Sequence, residues 1–80
     1  MLDITKKFYG NKLKFARLYR GLSMEELGER IGKSKQIISQ YESEDDPQSP
    51  SFDIVSNISE TLKFPISFFY TEDKEHVEEI

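Results

Sequence analysis

Eighty residues with a net charge of −4 make one small domain, which buries roughly 60% of the surface its unfolded chain exposes. There is no cysteine, so no disulfide or thiolate metal site can staple the chain, and stability must come from apolar packing. No apolar run approaches the length of a membrane span and no basic-then-apolar signal segment opens the chain, so a soluble cytoplasmic protein with no membrane partner is expected.

The net charge hides an asymmetry. Residues 1–41 carry nine Lys and Arg against four acids, a balance of +5; residues 42–80 carry two Lys against eleven acids, a balance of −9. A basic first half is what contact with phosphates requires, and an acidic remainder can shield it from non-specific binding.

Taken in order, the first helix is expected to begin between Thr5 and Asn11 and to run to Arg20. Gly21 then supplies the positive φ that ends a helix cheaply. Leu13, Ala16, Arg17 and Arg20 follow 3-and-4 spacing, and Phe15, Leu18 and Tyr19 add a second apolar stripe, more than one buried face needs. That stripe can cover other helices of the same core or meet a second subunit or domain. Ser23 with Glu26 is a capping box, so the second helix should start there, with Leu27 and Ile31 facing inward and Gly32 ending it. Ser34 can cap a third helix from Lys35 to about Ser43. A loop rich in acids, Ser and Pro follows, from Ser43 to Pro50. Ser51 can cap a fourth helix through Leu62, with Ile54 or Val55, Ile58 and Leu62 inward. Pro65 pre-sets φ for a short fifth helix carrying Ile66, Phe68 and Phe69. The expected architecture is all-α: five helices in a domain over residues 1–70, with an acidic tail over 71–80 that is frayed or extended as a loose helix.

The third helix has two faces of different chemistry. At 100° per residue, Ile37, Ile38 and Tyr41 fall in one arc and Lys35, Gln36, Ser39 and Gln40 in the opposite one. The polar arc offers ammonium, amide and hydroxyl groups, which hydrogen-bond base edges and phosphates in a DNA groove. A merely solvated face would more often carry Glu–Lys pairs. Two short helices joined by a tight turn, the second with this polar arc, read as a helix-turn-helix.

At these residues the chain resembles the Cro/C1-type helix-turn-helix family, the lambda-repressor-like DNA-binding domain (XRE family). The matching series is Arg17, Gly21-Leu22-Ser23, Leu27, Ile31-Gly32, Ser34, Ile38-Ser39 and Tyr41-Glu42, completed by Pro50-Ser51 and the helix to Leu62. LKFARLYRGLS and KFPISFFY are further similar to the N-terminal domain of regulators fused to an ImmA/IrrE-type metallopeptidase. The only histidine, His76, stands in the acidic tail outside any His-Glu-x-x-His motif. The chain is then either a stand-alone regulator or the front of a longer one with a C-terminal effector domain.

The resemblance implies a transcriptional regulator, most often a repressor, that binds double-stranded DNA as a homodimer with helix 35–43 in the major groove. Lys35 and Gln36 occupy the usual base-reading positions: Lys35 can donate to guanine O6 and N7, and Gln36 can pair with adenine N6 and N7. Ser39 and Gln40 lie one turn on and can touch bases or phosphate. Lys33 and Ser34 should meet the backbone beside the helix N-terminus. Ile37, at the margin of the polar arc, can touch a thymine methyl, although core packing is the better expectation. Arg17 and Glu42 match a salt bridge between the first and third helices, and phosphate contact is the rival use for Arg17. The dimer surface can be the fifth helix with Phe68, Phe69 and Tyr70, or it can lie in a further domain outside these residues.

Three departures from the family pattern bear on binding. Met24 stands where a Gln amide usually contacts phosphate. Gly28 replaces the usual Ala where the two helices pack closely. Glu44, Asp45 and Asp46 replace a turn that is commonly Gly plus Lys or Arg, in a loop two residues longer. These losses, with the surplus apolar stripe, frame the alternative: a protein-interaction module on the same fold with little or no DNA binding. An enzyme is not expected. One histidine and scattered carboxylates give no nucleophile–base pair, no metal-ligand spacing and no Gly-rich phosphate loop, so neither metal nor cofactor is called for.

Overall fold

Residues 7–43 and 49–71 are described by a computed structural model. They form four α-helices, α1 (Gly10–Tyr19), α2 (Met24–Ile31), α3 (Lys35–Glu42) and α4 (Phe52–Leu62), followed by a 3-10 helix, Ile66–Tyr70. There is no strand among the described residues. The expected short fifth helix is a 3-10 helix rather than an α-helix: the Phe68 amide reaches back three residues to the Pro65 carbonyl, and the Thr71 amide likewise to the Phe68 carbonyl. The acidic loop residues Glu44, Asp45 and Asp46, the tail beyond Thr71 with His76, and any helix start near Thr5 lie outside the described residues.

Helix ends follow the local chemistry. Ser23 Oγ accepts the Glu26 amide at 3.0 Å while Glu26 Oε1 accepts the Ser23 amide at 2.8 Å, closing the capping box. Ser51 Oγ caps α4 by accepting from the Ile54 amide. At the end of α1 the Leu22 amide bonds the Arg17 carbonyl and the Gly21 amide bonds the Leu18 carbonyl, the paired pattern of a Schellman cap with Gly21 at φ +73. The end of α4 is different: Lys63 takes the left-handed conformation (φ 61) without being glycine.

One core joins all the elements. Leu13 and Ala16 from α1, Leu27 from α2, Ile38 from α3, Val55, Ile58 and Leu62 from α4 and Phe69 from the 3-10 helix are fully buried, with Phe8 beside them. The inward choice on α4 resolves to Val55, with Ile54 half-buried. Ile31, expected to face inward, packs against this core only partly buried. Phe69 stacks on Phe8 at 6.2 Å, and the Tyr9 amide donates to the Phe69 carbonyl at 2.9 Å, so the last element closes back on the start of α1. A side chain buried in this way is worth about 1.5–3 kcal/mol and is not available to a partner. Phe69 therefore does not belong to a dimer surface, contrary to the expectation for the fifth element.

Candidate nucleic-acid interface

The turn between α2 and α3 is three residues, Gly32 to Ser34, and its geometry fixes the angle at which α3 is presented. Gly32 sits at φ +74, and the Lys33 amide donates to the Gly28 carbonyl at 2.8 Å, pulling the turn back over α2. A Cβ on Gly28 would collide with the Lys33 carbonyl oxygen. The close approach expected at Gly28 is real, but the neighbour is the backbone of the turn rather than another helix. With the turn in this position there is no room for a methyl at residue 28, and glycine's weak helix propensity is offset by the close turn it allows.

Ser34 is the N-cap of α3: its Oγ accepts the Ile37 amide at 3.2 Å, and its hydroxyl hydrogen is left to donate outward. Lys35, Gln36, Ser39 and Gln40 are all exposed on one side of α3, while Lys33 in the turn is half-buried. Thus the six candidate positions lie in one turn-and-helix segment, and the four on α3 share one accessible face. No acid lies in the first turn of α3, so its positive N-terminal end is uncompensated there. Ile38 is fully buried and Tyr41 packs on the core; Ile37, expected to pack there as well, is half-buried and not part of it. Ile37 sits at 200° when Lys35 is set at 0°, between the buried arc and Gln40, and this accounts for its partial exposure.

Arg17 and Glu42 meet as a bidentate pair. Arg17 Nε donates to Glu42 Oε2 at 2.6 Å and its Nη2 to Oε1 at 3.1 Å; the remaining Nη1 donates to the Leu22 carbonyl at 2.8 Å. Their side chains are 6% and 4% exposed, which leaves Arg17 no access to a phosphate. The pair ties the C-terminal end of α3 to α1, and the fork geometry sets orientation as well as distance. Close packing adds a second constraint at the same end: a Cβ on Gly10 would lie 2.5 Å from the Tyr41 carbonyl oxygen, so α1 begins against the last turn of α3. Gly10 carries no spacing signal, and nothing in the sequence marks that contact.

The start of α2 offers less to an anion. Met24 is half-buried against the core, and the first turn of α2 carries Glu25 and Glu26. The phosphate contact that a Gln would make at position 24 has no substitute among the side chains of the first turn of α2.

A Helix-turn-helix family model matches residues 13–69. The chain belongs to the Cro/C1-type helix-turn-helix family of DNA-binding transcriptional regulators. It is 35% identical over 63 residues to two uncharacterized HTH-type transcriptional regulators, one from Sinorhizobium medicae and one from Rhizobium meliloti, a match covering 79% of this chain and 44% of each relative. The chain thus spans less than half the length of these curated relatives. Among solved structures it is similar to Bacillus thuringiensis PlcR in a crystal structure with the peptide PapR7 and DNA, at TM-score 0.69 and 34% identity over 84% of this chain and 24% of PlcR. The match begins at Leu13 and ends at Phe69, two fully buried residues of the core.

Within this family fold, two structural residues lie outside the family motif. Arg20 donates from Nε to the Leu62 carbonyl at 2.6 Å and from Nη2 to the Lys63 carbonyl at 3.1 Å, capping the end of α4 from 42 residues away. Lys12 is buried with its ammonium 4.7 Å from the centre of the Phe68 ring. Both positions follow the helical spacing of α1, and only the packed structure distinguishes them from ordinary surface cations.

Proposed function

We propose that this chain is a sequence-specific DNA reader that inserts α3 into the major groove, acts as a repressor, and binds as a homodimer in the cytoplasm. The observation that carries the reading is the exposed set Lys35, Gln36, Ser39 and Gln40 on a helix held rigidly by the Arg17–Glu42 pair. Lys35 and Gln36 stand in the first turn, deepest in the groove, and read base edges; Ser39 and Gln40 reach bases or phosphate one turn on. Lys33 and Ser34 hold the phosphate backbone at the helix N-terminus. Ile37, outside the core, is placed to touch a thymine methyl beside Gln36. The DNA in the PlcR structure supports the partner class.

Fewer phosphate contacts at α2 predict weak non-specific affinity, so discrimination rests mainly on the α3 side chains. The test is a salt titration of binding to random duplex DNA with sequencing of the bound fraction. Enrichment of a palindrome with half-sites about 34 Å apart, losing affinity as salt rises but less steeply than a reader with a full set of phosphate contacts, is the expected result. Absence of binding at low salt would favour the protein-interaction module instead.

A further inference from the structure

The side of α1 opposite the ion pair carries an apolar surface that the helix-turn-helix does not use. Phe15 is 55% exposed, Leu18 55% and Tyr19 66%. On a helical wheel these three fall within an arc of about 100°, and Phe15 lies about 160° around α1 from Arg17, which faces α3. The surface continues onto the segment after α4. Phe15 meets Phe68 at 6.1 Å and Phe64 at 6.4 Å, and Tyr19 meets Phe64 edge-on at 5.8 Å. Between α1 and the 3-10 helix, Asn11, Lys12, Phe15 and Phe68 line an open groove of about 360 Å³, large enough for one apolar side chain.

The two segments that build this surface carry charge of one sign. Residues 7–24 and 61–71, the two segments that build it, contain no Asp or Glu, in a chain with fifteen acids. Lys14 and Lys63 are exposed. The Arg20 guanidinium lies 5.0 Å over Phe64 and 5.1 Å over Tyr19, and the Lys12 ammonium lies over Phe68. Two of the cations thus sit directly on the aromatic faces.

We propose that this aromatic and cationic face docks an acidic segment of a partner protein, one that places apolar side chains among carboxylates. The groove takes an apolar side chain, and carboxylates farther along the segment meet Arg20 and Lys63 at the other end of α1, with Lys14 one turn before Leu18 on the flank. A second copy of this chain is the poorer occupant for two reasons. The three exposed side chains offer on the order of 300 Å², against about 800 Å² per partner in a stable interface. A two-fold contact through this face would also set its cations against their own symmetry mates. A short segment of opposite charge avoids both difficulties.

The test uses the 80-residue chain and a fluorescein-labelled synthetic peptide about three helical turns long, with leucines at i, i+3, i+4 and i+7 and glutamates elsewhere. Saturable binding is expected, with backbone amide shifts on α1 and residues 64–68. Replacing the peptide's glutamates by lysines should abolish it. Phe15→Ser and Leu18→Ser should each weaken it at least ten-fold, and Lys14→Glu several-fold, with unchanged helical circular dichroism. Leu18→Ser serves if Phe15→Ser disturbs the packing on Phe64. Binding that the lysine peptide reproduces, that both serine variants retain, or that shifts residues 33–40 instead would overturn the proposal. So would a parent chain that self-associates through this face and becomes monomeric in Leu18→Ser.

Discussion

Glu42→Ala is the most informative single change to the scaffold. In the native domain the Arg17 guanidinium sits in a nearly dry site and makes two bonds to Glu42 and one to the Leu22 carbonyl. Removing the carboxylate leaves a buried cation with only the Leu22 carbonyl, and breaking such a pair is destabilising by about 3–5 kcal/mol. A domain of this length holds only ~4–12 kcal/mol in all, so the loss is a large fraction of it. At about 4–8 °C per kcal/mol, even the lower figure lowers the melting temperature by roughly 12–24 °C. Glu60→Ala, an exposed carboxylate on α4, is the control and should move stability by no more than about 0.5 kcal/mol. The assay is thermal and urea unfolding followed by circular dichroism. Arg17→Met combined with Glu42→Leu should recover much of the lost stability, because an apolar pair of similar volume leaves no unpaired charge. If Glu42→Ala unfolds at the same temperature as Glu60→Ala, the pair does not hold α3.

Gly28→Ala should be destabilising by urea unfolding in spite of alanine's propensity advantage of about 1 kcal/mol, because its methyl meets the Lys33 carbonyl; a stabilised variant would show that the turn can give way. Lys63→Gly should raise stability by up to about 1 kcal/mol, since it relieves a left-handed residue at the end of α4; a lower melting temperature would point to a role for the lysine side chain. Ser34→Ala should remove the α3 cap and lose about 1 kcal/mol, read by thermal unfolding without DNA. Lys35→Ala and Gln36→Ala should leave the melting temperature within a few degrees while each weakens operator binding by about 1–3 kcal/mol. Fluorescence anisotropy on the selected operator measures this, and parent-like affinity in both would remove α3 from the groove.

The elements that could be read in advance are those whose chemistry is local. Ser23 and Glu26 signal a helix start within four residues, and Gly21 and Gly32 signal ends at their own positions. The polar arc of α3 is likewise a property of eight consecutive residues, so the placement of Lys35, Gln36, Ser39 and Gln40 on one exposed face followed from spacing alone. What escaped depends on contacts distant in sequence. Lys63 ends α4 in a glycine-like conformation, and Arg20, just past the end of α1, donates to the carbonyls of Leu62 and Lys63. Gly10 matters only because α3 ends against it. Phe69 and Phe68 are neighbours with the same composition signal, yet one is wholly buried and the other half-exposed, a difference set by the tight 3-10 turn. Periodicity could detect the surplus stripe of Phe15, Leu18 and Tyr19, but only the packed structure shows that it remains largely uncovered.

Base reading by α3 is tested by repeating the random-duplex selection with Gln36→Ala. The variant should return the same palindrome and spacing as the parent, with preference relaxed at one symmetry-related base pair in each half-site. A variant that enriches the parental sequence unchanged, at every position and with equal strength, would contradict it.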